Sequence, residues 1–132
     1  MKNKYFEFFY PTINDKKSAI KAVTYGYVAA AFTSFLTLFH ITIKYLNAET
    51  VDYILLISSL VGNVLPIAVL GFFIFKNSRI ASILAFILCL IEIFYKFSET
   101  GSTGIFPIFL VFYLNSVRGT FALKKLENDD VN

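Results

Sequence analysis

The chain has 132 residues, of which 57% are hydrophobic and only 16% charged, and its mean hydropathy is +0.66. This length allows one domain, and so little charge falls well below the roughly 25% typical of soluble chains, which excludes a water-soluble fold. The net charge of +3 does not point to nucleic acid, because the twelve Lys and Arg sit between apolar runs instead of gathering on one face with interleaved aromatics.

In chain order, residues 1–17 are polar and aromatic. The stretch from Tyr5 to Tyr10, ended by Pro11, is too short to span a bilayer and is expected to lie along its surface. The first apolar segment, 18–45, carries no formal charge between Ala22 and Ile43. It is too long for the apolar region of a signal peptide, so it reads as a retained anchor. The second segment, 52–75, is uncharged from Tyr53 to Phe75 and holds Gly62, Asn63 and Pro66 near its centre. Pro66 removes the hydrogen bond owed to the Gly62 carbonyl, which predicts a kink. The third, 79–97, contains Glu92, and Arg79 and Lys96 at its ends can snorkel outward. The fourth, 102–123, is expected to be capped by Gly101-Ser102-Thr103-Gly104 with Pro107 in its first turn, leaving 124–132 as a cytoplasmic tail whose acidic run Glu127-Asn128-Asp129-Asp130 is expected to fray.

Continuously apolar runs favour helices over the alternating strands of a barrel. Links this short make consecutive helices neighbours, so the expected fold is all-α: an integral membrane protein with an antiparallel, up-down-up-down bundle of four transmembrane helices. Lys2, Lys4, Lys16, Lys17, Lys21, Lys76, Arg79, Arg118, Lys124 and Lys125 fall on one side of that topology and only Lys44 and Lys96 on the other. The positive-inside rule then puts both termini in the cytoplasm.

Lipid supplies no hydrophobic drive between helices, so small and polar residues mark the packed faces. Gly26, Ala30, Thr33, Thr37, His40 and Lys44 form one stripe at spacings of four and three, and Ser78, Ser82, Ala85, Cys89, Glu92 and Lys96 form another. In the last segment the same spacing picks out Gly104, Ile108, Val111, Asn115, Arg118 and Ala122; in the second, polar and small residues gather from Ser58 to Pro66. All these faces are expected to point into the bundle.

Glu92 is the one acid inside any span, and an intramembrane carboxylate is a functional candidate because burying its charge is costly unless it is paired or protonated. His40 precedes Lys44 by four residues and Glu92 precedes Lys96 by four, which sets His40 and Glu92 at one depth. Glu92, His40 and Lys96 are therefore the candidate proton or cation site, with a local Glu92–Lys96 pair as the plainer alternative. His40, Cys89 and Glu92 lack any metal-ligand spacing, and a lone cysteine can form no intrachain disulfide; no metal or cofactor is expected. Gly62, Asn63, Pro66, Asn115 and Arg118 are candidate packing and kink residues, Asn115 by bonding a neighbouring helix and Arg118 by anchoring to lipid phosphates.

The run Asn115-Ser116-Val117-Arg118-Gly119-Thr120-Phe121-Ala122 resembles the end of the last helix in uncharacterised small bacterial four-helix inner-membrane proteins. The resemblance implies a bacterial inner-membrane setting and no mechanism. No hydrolase, zinc or nucleotide-binding motif is present, so an enzyme is not expected. The leading expectation is a non-enzymatic bundle whose partners are the lipid bilayer and either itself or a larger membrane protein. The alternative is a proton- or cation-coupled transporter using Glu92. Four helices with one membrane carboxylate resemble the small multidrug-resistance exporters, but those carry the Glu in the first helix and a Trp in the chamber, and this chain has neither.

Overall fold

The computed structural model describes residues 7, 9–47, 50 and 52–129, so most of the expected surface stretch from Tyr5 to Phe8 and the last three residues of the tail lie outside the described residues. No strand occurs among them, and four helices follow one another, each long and apolar enough to cross a membrane. They are α1 (Lys16–Leu46), α2 (Tyr53–Phe75), α3 (Arg79–Thr100) and α4 (Phe106–Asp129).

Short polar side chains set the helix starts. Asp15 caps α1 in a reciprocal box: its carboxylate accepts from Ser18 N–H at 2.7 Å while the Ser18 hydroxyl accepts from Asp15 N–H at 3.1 Å. Those bonds to Ser18 hold the exposed Asp15 carboxyl below its ordinary value. Asp52 accepts from Ile54 and Leu55 N–H to open α2, and Ser78 Oγ accepts from Ala81 N–H to open α3. Between α2 and α3 the chain reverses at Asn77, whose φ of 60° is tolerated by the short amide side chain.

Two boundaries differ from the sequence expectation. Gly101 adopts φ 68° and closes α3, with its N–H bonded to Phe97 O, so the glycine run ends the third helix where it was expected to cap the fourth. Pro107 sits in the first turn of α4, and the helix continues past Leu123 to Asp129, into the run from Glu127 that was expected to fray.

In α2 the five residues Leu60–Val64 are π-helical. Pro66 has no N–H, and its ring crowds the carbonyl four residues back. A wider turn relieves that crowding, Leu65 N–H reaching five residues back to Leu60 O, and Asn63 Nδ2 donates to Ser59 O at 2.9 Å within the same distorted stretch.

The helices form a closed ring of neighbours in which α1 packs most extensively on α4, then on α2, while α3 packs on α4 and on the second half of α2. Small residues make the close approaches. A Cβ on Gly119 would fall 2.7 Å from Ala19 O and 2.8 Å from Val23 N, both backbone atoms of α1, and one on Gly26 would strike Ser116.

Candidate functional site

Burial divides the bundle into a closed end and an open end. At the closed end α1 is buried from Ala19 to Thr33, α2 at Gly71 and Ile74, α3 from Ala81 to Cys89 and α4 from Phe109 to Leu123. At the open end Ile41 is the one buried residue among those described, and the first half of α2 buries none. That first half packs chiefly on α1 and leaves the upper part of α3 uncovered.

The closed end is held by buried hydrogen bonds between helices. Thr33 Oγ1 and Tyr113 Oη lie 3.2 Å apart, joining α1 to α4, and Ser82 Oγ and Ser116 Oγ lie 3.1 Å apart, joining α3 to α4. Each hydroxyl can donate and accept, so such pairs are self-sufficient in an apolar setting. Thr33 also shares its hydroxyl with Ala29 O, and Ser82 with Ser78 O, which keeps the remaining valences occupied.

Asn115 is fully buried, and its carboxamide faces the segment ahead of α1 instead of a neighbouring helix. Nδ2 donates to Phe9 O at 2.5 Å, and Oδ1 accepts from Arg118 Nη1 at 3.2 Å. The Arg118 guanidinium in turn lies 3.7 Å from the Tyr10 ring centre. Phe9 and Tyr25 both stack on Phe112, and Pro11 is buried. Asn115 and Arg118 thus clamp residues 9–11 against the closed end. Besides the lipid-phosphate role expected of it, Arg118 makes this contact within the chain.

Glu92, His40 and Lys96 lie at the open end. Glu92 continues the buried face of Ala81, Ala85 and Cys89 at helical spacing, and His40 continues that of Gly26, Ala30 and Thr33, yet both are exposed because no helix covers these faces beyond the closed end. The structure does not bring them together: α1 and α3 are not packed neighbours, and among the described residues no hydrogen bond or ion pair joins Glu92 to His40 or to Lys96. The Lys96 ammonium lies instead over Phe106, 5.2 Å from its ring centre. No group of three His, Cys, Asp or Glu side chains among the described residues is placed to hold a metal.

Gly62, Asn63 and Pro66 were expected inside the bundle, and all three are exposed. The π-helical turn accounts for this, since an inserted residue rotates everything before it relative to the face that Gly71 and Ile74 bury. On α4 the buried residues are Phe109, Tyr113, Asn115, Ser116, Gly119, Thr120 and Leu123, so the stripe drawn through Gly104, Ile108, Val111, Asn115, Arg118 and Ala122 meets the buried face at Asn115 and elsewhere lies beside it. Ser82 lies on the stripe expected to face the bundle, whereas Tyr113 and Ser116 were missed; the signal that finds them is the pairing of hydroxyl residues between facing helices.

Two shallow apolar grooves flank α1. One of about 350 Å³ is lined by Val28, Phe32, Ile105 and Phe109, and the other, about 320 Å³, by Ala31, Ser34, Ala68 and Gly71. Ser34 Oγ in the second is buried with no hydrogen-bond partner. Neither groove offers a carboxylate, imidazole, thiol or amine. Comparison with protein-family models, with curated proteins and with solved structures found no match to this chain.

Proposed function

We propose that the chain is a multi-pass membrane protein whose four helices cross the bilayer in an antiparallel, up-down-up-down arrangement with both termini in the cytoplasm. Its role is then non-enzymatic: a small bundle that associates with itself or with a larger membrane partner. Four helices of sufficient length and hydropathy support the spanning reading, and the basic residues at the closed end support the orientation.

The observation that carries the association reading is the carboxylate of Glu92, exposed within an apolar helix and bonded to nothing among the described residues. A carboxylate facing hydrocarbon costs on the order of 3 kcal/mol by insertion measurements, more in isolated-helix calculations, so a polar partner is favoured wherever one can reach it. Extraction of the native membrane with a mild detergent tests this. A stoichiometric second chain, either another copy or a different protein, is expected to co-purify. A chain washed off the membrane by alkaline carbonate overturns the spanning reading, and a lone monodisperse monomer in every mild detergent overturns the association.

The same open end favours a second reading, a proton- or cation-coupled transporter in which Glu92 binds the coupling ion. Proton-driven flux in vesicles that is lost in Glu92→Gln while the variant still folds would support it; absence of flux in the parent chain would remove it.

A further inference from the structure

We infer that the outer surface where α3 meets α4 at the closed end binds one anionic phospholipid, its phosphate held by Arg79, Lys124 and Lys125 and its acyl chains lying along Ile83 and Leu114. The inference rests on the membrane-spanning reading and names a ligand which that reading leaves open.

A contact between the two helices brings the cations together. Arg79 opens α3, is half-buried, and reaches across to α4, where its guanidinium lies 5.0 Å from the centre of the Phe121 ring. Contact with a ring face uses none of the five N–H donors of a guanidinium. Phe121 shares its face of α4 with Lys124 and Lys125, three and four residues on, and all three are exposed. The two lysines therefore sit one helical turn, about 4–6 Å, further toward the helix end than the ring. Among the described residues no hydrogen bond or ion pair engages any of these three cations, although Glu127 and Asp129 follow on the same helix.

Toward the middle of the bundle the same surface turns apolar. Ile83, one turn on from Arg79, and Leu114, two turns back from Phe121, are both exposed. Behind them Ser82 and Ser116 are fully buried with their hydroxyls 3.1 Å apart, so the seam is closed and a ligand lies on it, not within it. A guanidinium meets phosphate oxygens as a fork and an ammonium meets them as a point charge, so the three cations together suit a phosphodiester. Cations at one end and hydrocarbon at the other match a lipid with an anionic head and two chains. A free phosphate or an acidic peptide would engage the cations alone and leave Ile83 and Leu114 without a role.

A bimane fluorophore on Ile87→Cys, exposed one turn beyond Ile83, in a Cys89→Ala background reports which lipid lies beside this seam. Quenching by dibrominated phosphatidylglycerol against dibrominated phosphatidylcholine, in bilayers of the full-length chain, gives the preference of the site. That otherwise unaltered chain is expected to favour phosphatidylglycerol. A cation near an anionic membrane surface contributes about 1 kcal/mol, so Arg79→Gln should lower the preference about fivefold and the pair Lys124→Gln with Lys125→Gln by more, while Arg79→Lys keeps most of it. Lys21, exposed on α1 and level with Gly119, is the control: Lys21→Gln removes the same charge away from the seam and should leave the preference unchanged. Equal quenching by the two lipids, a preference untouched by Arg79→Gln and by the double lysine variant, or a Lys21→Gln loss as large as that of Arg79→Gln would each overturn the site. Loss of the preference in millimolar inorganic phosphate at constant ionic strength would assign the cations to a free anion and overturn it too. A chain that alkaline carbonate washes from the membrane overturns the spanning reading as well, while one that stays in the membrane and shows no preference overturns this inference alone.

Discussion

Replacing Gly119 with alanine adds one methyl group where the backbones of α1 and α4 approach closely. The new Cβ would stand 2.7 Å from Ala19 O, 2.8 Å from Val23 N and 3.0 Å from Ala22 Cβ. Two of these are backbone atoms of α1, so no rotamer change clears them, and α1 and α4 must part by roughly half an ångström to an ångström to restore normal contact. A gap of that size forfeits about a quarter to a half of the dispersion attraction along the seam, and overpacking of this kind costs about 1–3 kcal/mol. Alanine also favours a helix over glycine by about 1 kcal/mol, which offsets part of the loss. Gly62→Ala separates the two effects, because a Cβ at Gly62 meets nothing within 4 Å and gains the helix preference alone. Reversible unfolding in mixed micelles, dilute enough to keep chains apart, should therefore put Gly119→Ala below Gly62→Ala by about 1–3 kcal/mol. Equal stabilities of the two variants, within about 0.5 kcal/mol, would refute the close approach of α1 and α4.

Asn115→Ala leaves the Phe9 carbonyl and the Arg118 guanidinium without the amide that joins them; a stability loss of about 1–3 kcal/mol is expected, with faster proteolysis between residues 9 and 15, and unchanged cleavage there would count against the clamp. For Ser82 and Ser116, a double-alanine cycle should return a coupling of about 0.6 kcal/mol and no more than about 2 kcal/mol, because buried hydroxyl pairs in an apolar medium find other partners on unfolding. Asp15 has its folded carboxyl below the ordinary 3.8, so its contribution to stability is complete above that pH and is lost as pH falls through the lower folded value. Asp15→Asn, which still caps, should remove that acid-side loss while keeping α1 ordered, and Asp15→Ala should fray the first turn; hydrogen exchange at Ser18 N–H reads both.

The four helices were legible because a run of some twenty apolar residues has one solution in a medium that cannot bond the backbone, and their starts were legible where Asp15, Asp52 and Ser78 supply a cap. Glycines were harder. Gly101 precedes the last helix and so resembles its cap, but its left-handed backbone serves the carbonyls of the helix already finished. The stripe on α1 was read correctly as far as Thr33, because its partner α4 faces it that far; the same arithmetic carried on to His40, where nothing faces it. On α2 helical arithmetic failed outright, since one π-helical turn at Leu60–Val64 changes the count and turns Gly62 and Asn63 outward. Asn115 was singled out, but its partner, the carbonyl of Phe9, lies 106 residues away and is a backbone atom, which no side-chain pattern reveals.

Composition and local order alone therefore decide the helical class, the number of helices long and apolar enough to cross a membrane and the single acid inside their apolar runs, because they depend on what a residue is and on which residues stand within a few positions of it. Tertiary structure decides which faces are covered. It ends the buried seam below His40 and Glu92, ties Asn115 and Arg118 to the start of the described chain, and leaves Asn63 and Glu92 each exposed, since coverage depends on where a facing helix begins, ends or slips its register.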